Sequence, residues 1–266
     1  MGECHCRFCG SHLTLTFANL GMSPLSNAYL DEDGLHRMEP YYPLHARVCD
    51  SCWLVQVEAF ESPEAIFGDY AYFSSYSDSW LRHVQAYVQS MIARFDLGAG
   101  SSVIEIASND GHLLQYFGQA GVPVLGIEPA RNIAAVAEQK GIRTLCQFFG
   151  STTARQLVAD GQQADLLLGN NVLAHVPDLN DFVAGLRILL RPQGVITLEF
   201  PHLLRLIADN QFDTIYHEHF SYFSLLTVEQ VLARHGLSLF DVEELPTHGG
   251  SLRIFARHTE TKLPLA

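Results

Sequence analysis

Two constellations in this chain have residue types and spacing suited to chemistry. The first is the run Tyr216-His217-Glu218-His219-Phe220-Ser221-Tyr222, in which two histidines flank a glutamate among aromatics and hydroxyls. It reads three ways: H-x-H can chelate a metal, a histidine is the natural base near neutral pH, and histidines under aromatics can be ordinary core. The metal reading lacks a third ligand at metal-like spacing nearby. Tyr216 and His219 are three residues apart and would share one face of a helix, with His217 and Glu218 pointing elsewhere.

The second constellation is sulfur. Of six cysteines, five lie in the first 52 residues, and Cys6, Cys9, Cys49 and Cys52 form a CxxC…CxxC pair. A two-residue gap lets the thiolates of one turn converge on one ion, and two such turns complete a tetrahedral sulfur site. Soft thiolates favour Zn²⁺, and four protein ligands leave no open position for catalysis, so the expected zinc is structural. The 39 residues between the pairs suit a ribbon-like module with strands between its knuckles. Cys4 and His5 are rival ligands. A redox CxxC is disfavoured, because neither pair opens a thioredoxin-type helix after a strand. Cys146, in the apolar run RTLCQFF, is expected to be a buried, inert thiol.

A third, quieter pattern lies in the middle of the chain. VIEIASNDGHLL places Glu105 on a strand and then a tight loop, Ala107-Ser108-Asn109-Asp110-Gly111, at the mouth of a helix. A nicotinamide enzyme would carry GxGxxG here, to seat a pyrophosphate on backbone N–H groups. One strand later, GIEPA sets Glu128 and Pro129 at a strand's C-terminal end, where a carboxylate can accept both ribose hydroxyls of a nucleoside. A ribose-reading acid without a pyrophosphate cradle fits S-adenosylmethionine better than NAD. Asn170, Asn171 and His175 follow another strand end, where open α/β sheets bind ligands, although all three also suit a turn. Tyr72, Tyr76 and Ser79 lie just before the first long helix and can hold a sugar or its phosphates, or else pack at a domain junction.

These groups must be positioned by two units, residues 1–70 and 71–266. The first is irregular, with strand-like HLTLTF and WLVQVEAF, and is small enough to need a staple. In the second, DSWLRHVQAYVQSMIARF has helical spacing behind an Asp78 or Ser79 cap. Strands and helices then alternate: SVIEIA, VPVLGIEP, ADLLLGN and VITLEFP are strands. HLLQYFGQ, ARNIAAVAEQKG and DLNDFVAGLRILLRPQG are helices, the last with a Pro-Gly stop. After residue 200 come a helical segment, the histidine run, the helix TVEQVLARHG and the strand-like LSLFDVEEL and SLRIFARH. Such alternation predicts a mainly parallel, Rossmann-like α/β sheet preceded by a small β-rich module.

Composition narrows the function classes. A formal charge of −13, with 16 scattered basic residues, excludes a binder of nucleic acid. No apolar run reaches the ~18 residues a membrane span needs, and the N-terminus lacks the apolar core of a secretory signal. The expectation is a cytoplasmic monomer.

The paired CxxC, YFSSYSDSW, EIASNDG, GIEPA, NNVLAHVPD, YHEHFSYFS and THGGSLRI, in this order, resemble the sugar C-methyltransferases that act on nucleotide-linked keto-deoxysugars in antibiotic and surface-glycan pathways. The resemblance runs from residue 6 to about residue 255. It implies a zinc-binding N-terminal domain, a class I methyltransferase core using S-adenosylmethionine, and methylation at C3 of a dTDP-linked 4-keto sugar. It further implies His219 as the base that forms an enolate, Tyr216 polarising or positioning the sugar, and Glu218 orienting a ring or hydroxyl. Tyr72, Tyr76, Ser79 and Tyr222 would contact the sugar. The family normally continues into a further C-terminal α/β lobe, whereas this chain stops at Leu265-Ala266, as a truncated or shortened relative would. An O- or N-methyltransferase of a small metabolite and a non-catalytic zinc-stabilised binding module are the competing readings.

Overall fold

The structure is a computed structural model that describes residues 4–68 and 73–261, so Tyr72 lies outside the described residues. A four-stranded antiparallel sheet carries the N-terminal part. Its strands are β1 (Leu15–Ser23), β2 (Tyr42–Val48) and β3 (Val55–Val57), and the order ends on a strand from far along the chain, β9 (Ser221–Tyr222). Val55 faces Tyr222 and Gln56 faces Ser221 across that last pair. The short helix α1 (Pro63–Phe67) leads away from this sheet.

The second sheet has seven strands in the order β10-β11-β8-β7-β4-β5-β6. They are β4 (Val103–Ile106), β5 (Val124–Ile127), β6 (Thr144–Leu145), β7 (Ala164–Asn170), β8 (Leu190–Pro201), β10 (Leu237–Leu245) and β11 (Ser251–His258). The strands from β6 to β8 are parallel, and β11 runs antiparallel to both β8 and β10. Continuous apolar runs such as ADLLLGN form its centre because helices cover both faces. On one side α2 (Asp78–Phe95) and α3 (Leu114–Gln119) bury Val84, Val88, Met91 and Phe117 against Val103, Leu166 and Leu168. On the other, α5 (Ser151–Ala159), α6 (Leu179–Leu189) and α8 (Leu225–Arg234) close over Ile104, Leu167 and Ile196. The remaining helices are α4 (Arg131–Gln139) and α7 (Leu203–Ala208).

Several local expectations change. The N-cap of α2 is Ser77, whose side chain accepts from the Trp80 N–H, rather than Asp78 or Ser79. Helix α6 ends at Leu189, before the Pro-Gly pair; Arg191–Gly194 sit in a register shift of the β7–β8 ladder, so these turn residues begin a strand as a bulge. Helix α5 and strand β2 are additions to the sequence reading. Cys146 is exposed, because β6 stops at Leu145 and the chain leaves the sheet.

Cys6, Phe8, Leu13 and Leu54 share one buried cluster with residues of α6 and α8, so the cysteine module packs directly on the large core. No described helix is long and apolar enough to cross a membrane.

Candidate active site

The sulfur atoms of Cys6, Cys9, Cys49 and Cys52 all lie within 4.8 Å of one another, with Cys6 to Cys52 and Cys9 to Cys49 both 3.5 Å apart. A tetrahedral zinc with bonds of about 2.3 Å sets sulfurs about 3.8 Å apart, so this donor set fits Zn²⁺. Cys4 and His5 stand outside the four. Gln56 donates from Nε2 to the Cys6 sulfur at 3.2 Å, an outer contact that orients a ligand.

A cavity of about 720 Å³ opens at the C-terminal ends of the parallel strands. Its floor is the loop after β4. Ala107 and Asn109 adopt positive φ (54° and 49°), as does Gly111 at 75°. A Cβ on Gly111 would stand 2.9 Å from Cγ1 of Ile142, so glycine serves both the left-handed turn and the packing beneath it. Glu128 holds this loop: its carboxylate accepts from the backbone N–H of Asn109 and of Ala130, both at 2.9 Å, and it still lines the cavity. Burial raises the Glu128 pKa, and those two donors pull against it.

The cavity wall carries Ala107, Asn109, Glu128, Pro129, Asn170 and Asn171. Nδ2 of Asn170 and Oδ1 of Asn171 are buried without a hydrogen-bond partner, which leaves a donor and an acceptor for a ligand. Glu105, Asp110 and Gly111 do not line it. Glu105 is sealed within the sheet, where burial and the neighbouring Glu128 and Asp110 drive its pKa well upward. Asp110 instead accepts from Lys140 at 2.8 Å and from Ser75; burial opposes its charge, but His112, Lys140 and Ser75 outweigh burial and keep it ionised. Among the lining residues the charged side chains are acidic (Glu64, Glu128, Asp178, Asp181 and Asp213), with no lysine or arginine.

The histidine run forms the opposite wall. Residues 216–219 make a tight turn, closed by the His219 N–H to the Tyr216 carbonyl at 3.0 Å, and not a helix. The turn still brings the expected pair together: the Tyr216 hydroxyl is 2.9 Å from Nε2 of His219, and the rings lie 4.1 Å apart. Nδ1 of His219 is 3.0 Å from the Thr214 carbonyl, which can only accept; Nδ1 therefore carries the proton and Nε2 keeps a lone pair. Burial pushes His219 down to about 4, and His248 acts the same way. The neighbouring His175, 4.7 Å ring to ring, is pushed by burial down to about 3. Both rings are neutral at physiological pH.

The other members of the run face the small sheet. His217 donates from Nε2 to the Pro43 carbonyl at 3.2 Å and meets Tyr42 and Phe60 edge-on, a structural placement. Glu218 accepts from Ser26 (2.8 Å) and Asn27 (2.7 Å), which ties it to the loop after β1. Tyr222 does not line the cavity; its hydroxyl accepts the Tyr216 N–H at 3.2 Å and so braces the turn. Tyr76 is 80% exposed and stacked on Phe73, and Ser79 is exposed, so neither reaches the cavity.

Sequence reasoning missed the third wall, Trp80, His112 and His248. Trp80 donates to His112 at 3.0 Å, stacks on His83 at 5.0 Å and meets His248 edge-on. Behind them Glu199, fully buried, accepts from His83 (3.0 Å), Arg253 (2.7 Å) and Thr247 (2.9 Å). Burial opposes the Glu199 charge, but His83 and Arg253 outweigh it and hold the carboxyl below its ordinary range. THGG was a visible motif, yet only the fold puts its histidine beside Trp80.

Comparison with known proteins gives this arrangement a context. A family of zinc binding domains matches residues 6–67, and a methyltransferase domain family matches residues 80–242. C-methyltransferase NovU of Streptomyces niveus is 37% identical over 251 residues, 94% of this chain; the chain spans 60% of that relative's length. Among solved structures, the 1,6-didemethyltoxoflavin-N1-methyltransferase of Burkholderia thailandensis, with S-adenosylhomocysteine bound, superimposes with a TM-score of 0.52. It is 19% identical, over 78% of this chain and 95% of its own. Magnesium protoporphyrin IX methyltransferase from Synechocystis, also with bound S-adenosylhomocysteine, gives 0.53 at 19% identity, over 66% of this chain and 82% of its own. At that identity the two structures speak for the fold alone.

Proposed function

From the premise that this chain belongs to the methyltransferase domain family, matched over residues 80–242, we propose that it methylates carbon C3 of a nucleotide-linked 4-keto-deoxysugar. The nucleotide of this reading is dTDP, and the methyl donor is S-adenosylmethionine. Bound in the cavity, that donor would supply an electrophilic methyl group on a sulfonium. The site residues fit it: Glu128 at a strand end suits ribose hydroxyls, and the unpaired Asn170 and Asn171 atoms offer a donor and an acceptor. A lining whose charged groups are all carboxylates suits a cation.

The observation that carries the carbon-directed reading is the Tyr216–His219 pair, a neutral imidazole with a fixed tautomer and its Nε2 lone pair turned toward a phenol. A ketone at C4 makes the C3 proton removable. His219 Nε2 would take that proton, directly or through the Tyr216 hydroxyl, and the electron pair would move onto the C4 oxygen as an enolate. Tyr216 O–H would donate to that oxygen, an electrostatic role most valuable in a site that excludes water. The methyl group of the bound donor would then be open to attack by C3, its sulfur leaving as the neutral thioether, and His219 would hold the proton until solvent takes it. Similarity to NovU, whose name states C-methylation, supports the carbon over the heteroatom.

The test is an assay of the chain against a panel of dTDP-4-keto sugars, reading the product by NMR. A new methyl on C3, solvent deuterium entering C3, and a loss of about 10²–10⁴-fold in His219→Asn are expected. A methyl on oxygen or nitrogen overturns the carbon reading, and wild-type rates in His219→Asn overturn the base.

A further inference from the structure

We propose that metal binding at the four cysteines sets the position of the His219 turn, with Arg7 as the positioning residue that joins the two. The proposal rests on the reading of His219 as the base.

Arg7 sits inside the first knuckle, between Cys6 and Cys9, half-buried and with its Nε sealed from solvent. Nη1 donates to the Pro177 carbonyl at 3.0 Å, and Pro177 lines the cavity. Nη2 donates to the Val57 carbonyl, and Val57 in turn donates its N–H to the Phe220 carbonyl at 3.1 Å. The guanidinium carbon stands 5.4 Å from the centre of the Phe220 ring, within cation–π range. Phe220 follows His219 directly. One side chain of the knuckle thus holds both the wall beside His175 and the residue next to the base.

A second tie runs in parallel. Gln56 accepts the Arg7 N–H at 2.9 Å and donates to the Cys6 sulfur at 3.2 Å, while its backbone pairs with Ser221 in β9. Asn180, at the start of α6, donates to the Arg7 and Phe8 carbonyls at 3.1 and 2.9 Å. A knuckle folded around a metal fixes all these groups at once. Without metal its thiols lose the common centre that defines the turn, and the donors aimed at Val57 and Pro177 lose their fixed origin. A zinc that touches no substrate would therefore act on the reaction through Arg7, Gln56 and β9.

The test is hydrogen–deuterium exchange, read by mass spectrometry on the full chain, for peptides covering residues 213–224 and, as a control, 103–111. In Arg7→Met at unchanged zinc content, exchange in 213–224 should rise about tenfold while 103–111 holds. Affinity for S-adenosylhomocysteine should also hold, and kcat should fall with the KM for S-adenosylmethionine unchanged. In wild type, protection of 213–224 should appear in step with zinc added to the stripped chain. Unchanged exchange in 213–224 in Arg7→Met overturns the proposal. Should that variant not fold, Arg7→Lys, which keeps the charge but not the two-pronged reach, decides by the same criterion. Exchange is read without a sugar substrate. If every keto sugar proves inert while 213–224 responds, the functional reading falls and the coupling stands; methylation with an unresponsive 213–224 is the converse.

Discussion

The Tyr216 hydroxyl is bonded to the one nitrogen of His219 that is free to act as a base, while the other nitrogen is committed to the Thr214 carbonyl. The lone pair is thus aimed by backbone, not by a carboxylate. Glu218, the nearest acid in sequence, is spent on Ser26 and Asn27.

This arrangement sets a pH dependence. His219 must be neutral to accept a proton, and burial holds it near 4, so activity should be level through neutrality and fall only as pH drops toward that value. Stability responds earlier. A histidine depressed in the folded state is protonated first in the unfolded chain, so stability should decline as pH falls from about 6.5 toward 4. Rate profiles and denaturant midpoints across pH 4–8, in wild type and in His175→Asn and His219→Asn, separate the two effects; a rate that rises on acidification contradicts the neutral base.

Metal content should follow the sulfur geometry. Elemental analysis is expected to return about one zinc per chain. Cys4→Ser should keep it and Cys49→Ser should lose it with a marked drop in thermal stability, because Cys4 lies outside the four converging sulfurs.

Glu128 should govern the methyl donor. Glu128→Ala removes the cavity-lining carboxylate proposed to read the ribose, together with two loop contacts, and affinity for S-adenosylhomocysteine should fall about ten- to a hundredfold by calorimetry. Glu128→Gln, which keeps one acceptor, should lose less. Equal affinity in all three would remove Glu128 from the site.

Glu199 should be a stability determinant. Glu199→Gln leaves Arg253 buried without its full partner, and a cost of about 3–5 kcal/mol in urea unfolding is expected. Its effect on catalysis should pass through Trp80 and His248, appearing as weaker binding of cavity ligands.

Much of this was readable from residue order. SLRIFARH, LSLFDVEEL and ADLLLGN are strands with the bounds their pattern gives, and the four cysteines announce their convergence. Tyr216 and His219 were paired by spacing, and they do meet, although by a turn. What stayed hidden depends on distant residues. Glu105 at the end of β4 and Asp110 in the loop after it look ligand-facing, but the sheet seals the first and Lys140 and Ser75 hold the second away from the cavity. Trp80, His112 and His248 stand 32 and 136 positions apart and meet only because α2 packs beside the end of β11. Cys146 looked buried because RTLCQFF is apolar, and periodicity cannot say where a two-residue strand stops.

The pairing of β3 with Ser221 and Tyr222 has one more consequence. Cut out at residue 67, where the match to the zinc binding family ends, the N-terminal piece would expose Val55–Val57 as a bare sheet edge, open to pairing with another copy. During synthesis the ribosome must deliver more than 150 further residues before that edge is capped, so closure of this sheet is among the most non-local events in folding. A fragment carrying only the cysteines should bind its metal and still aggregate. The strand that follows the His219 turn is the one that caps the edge of the zinc module.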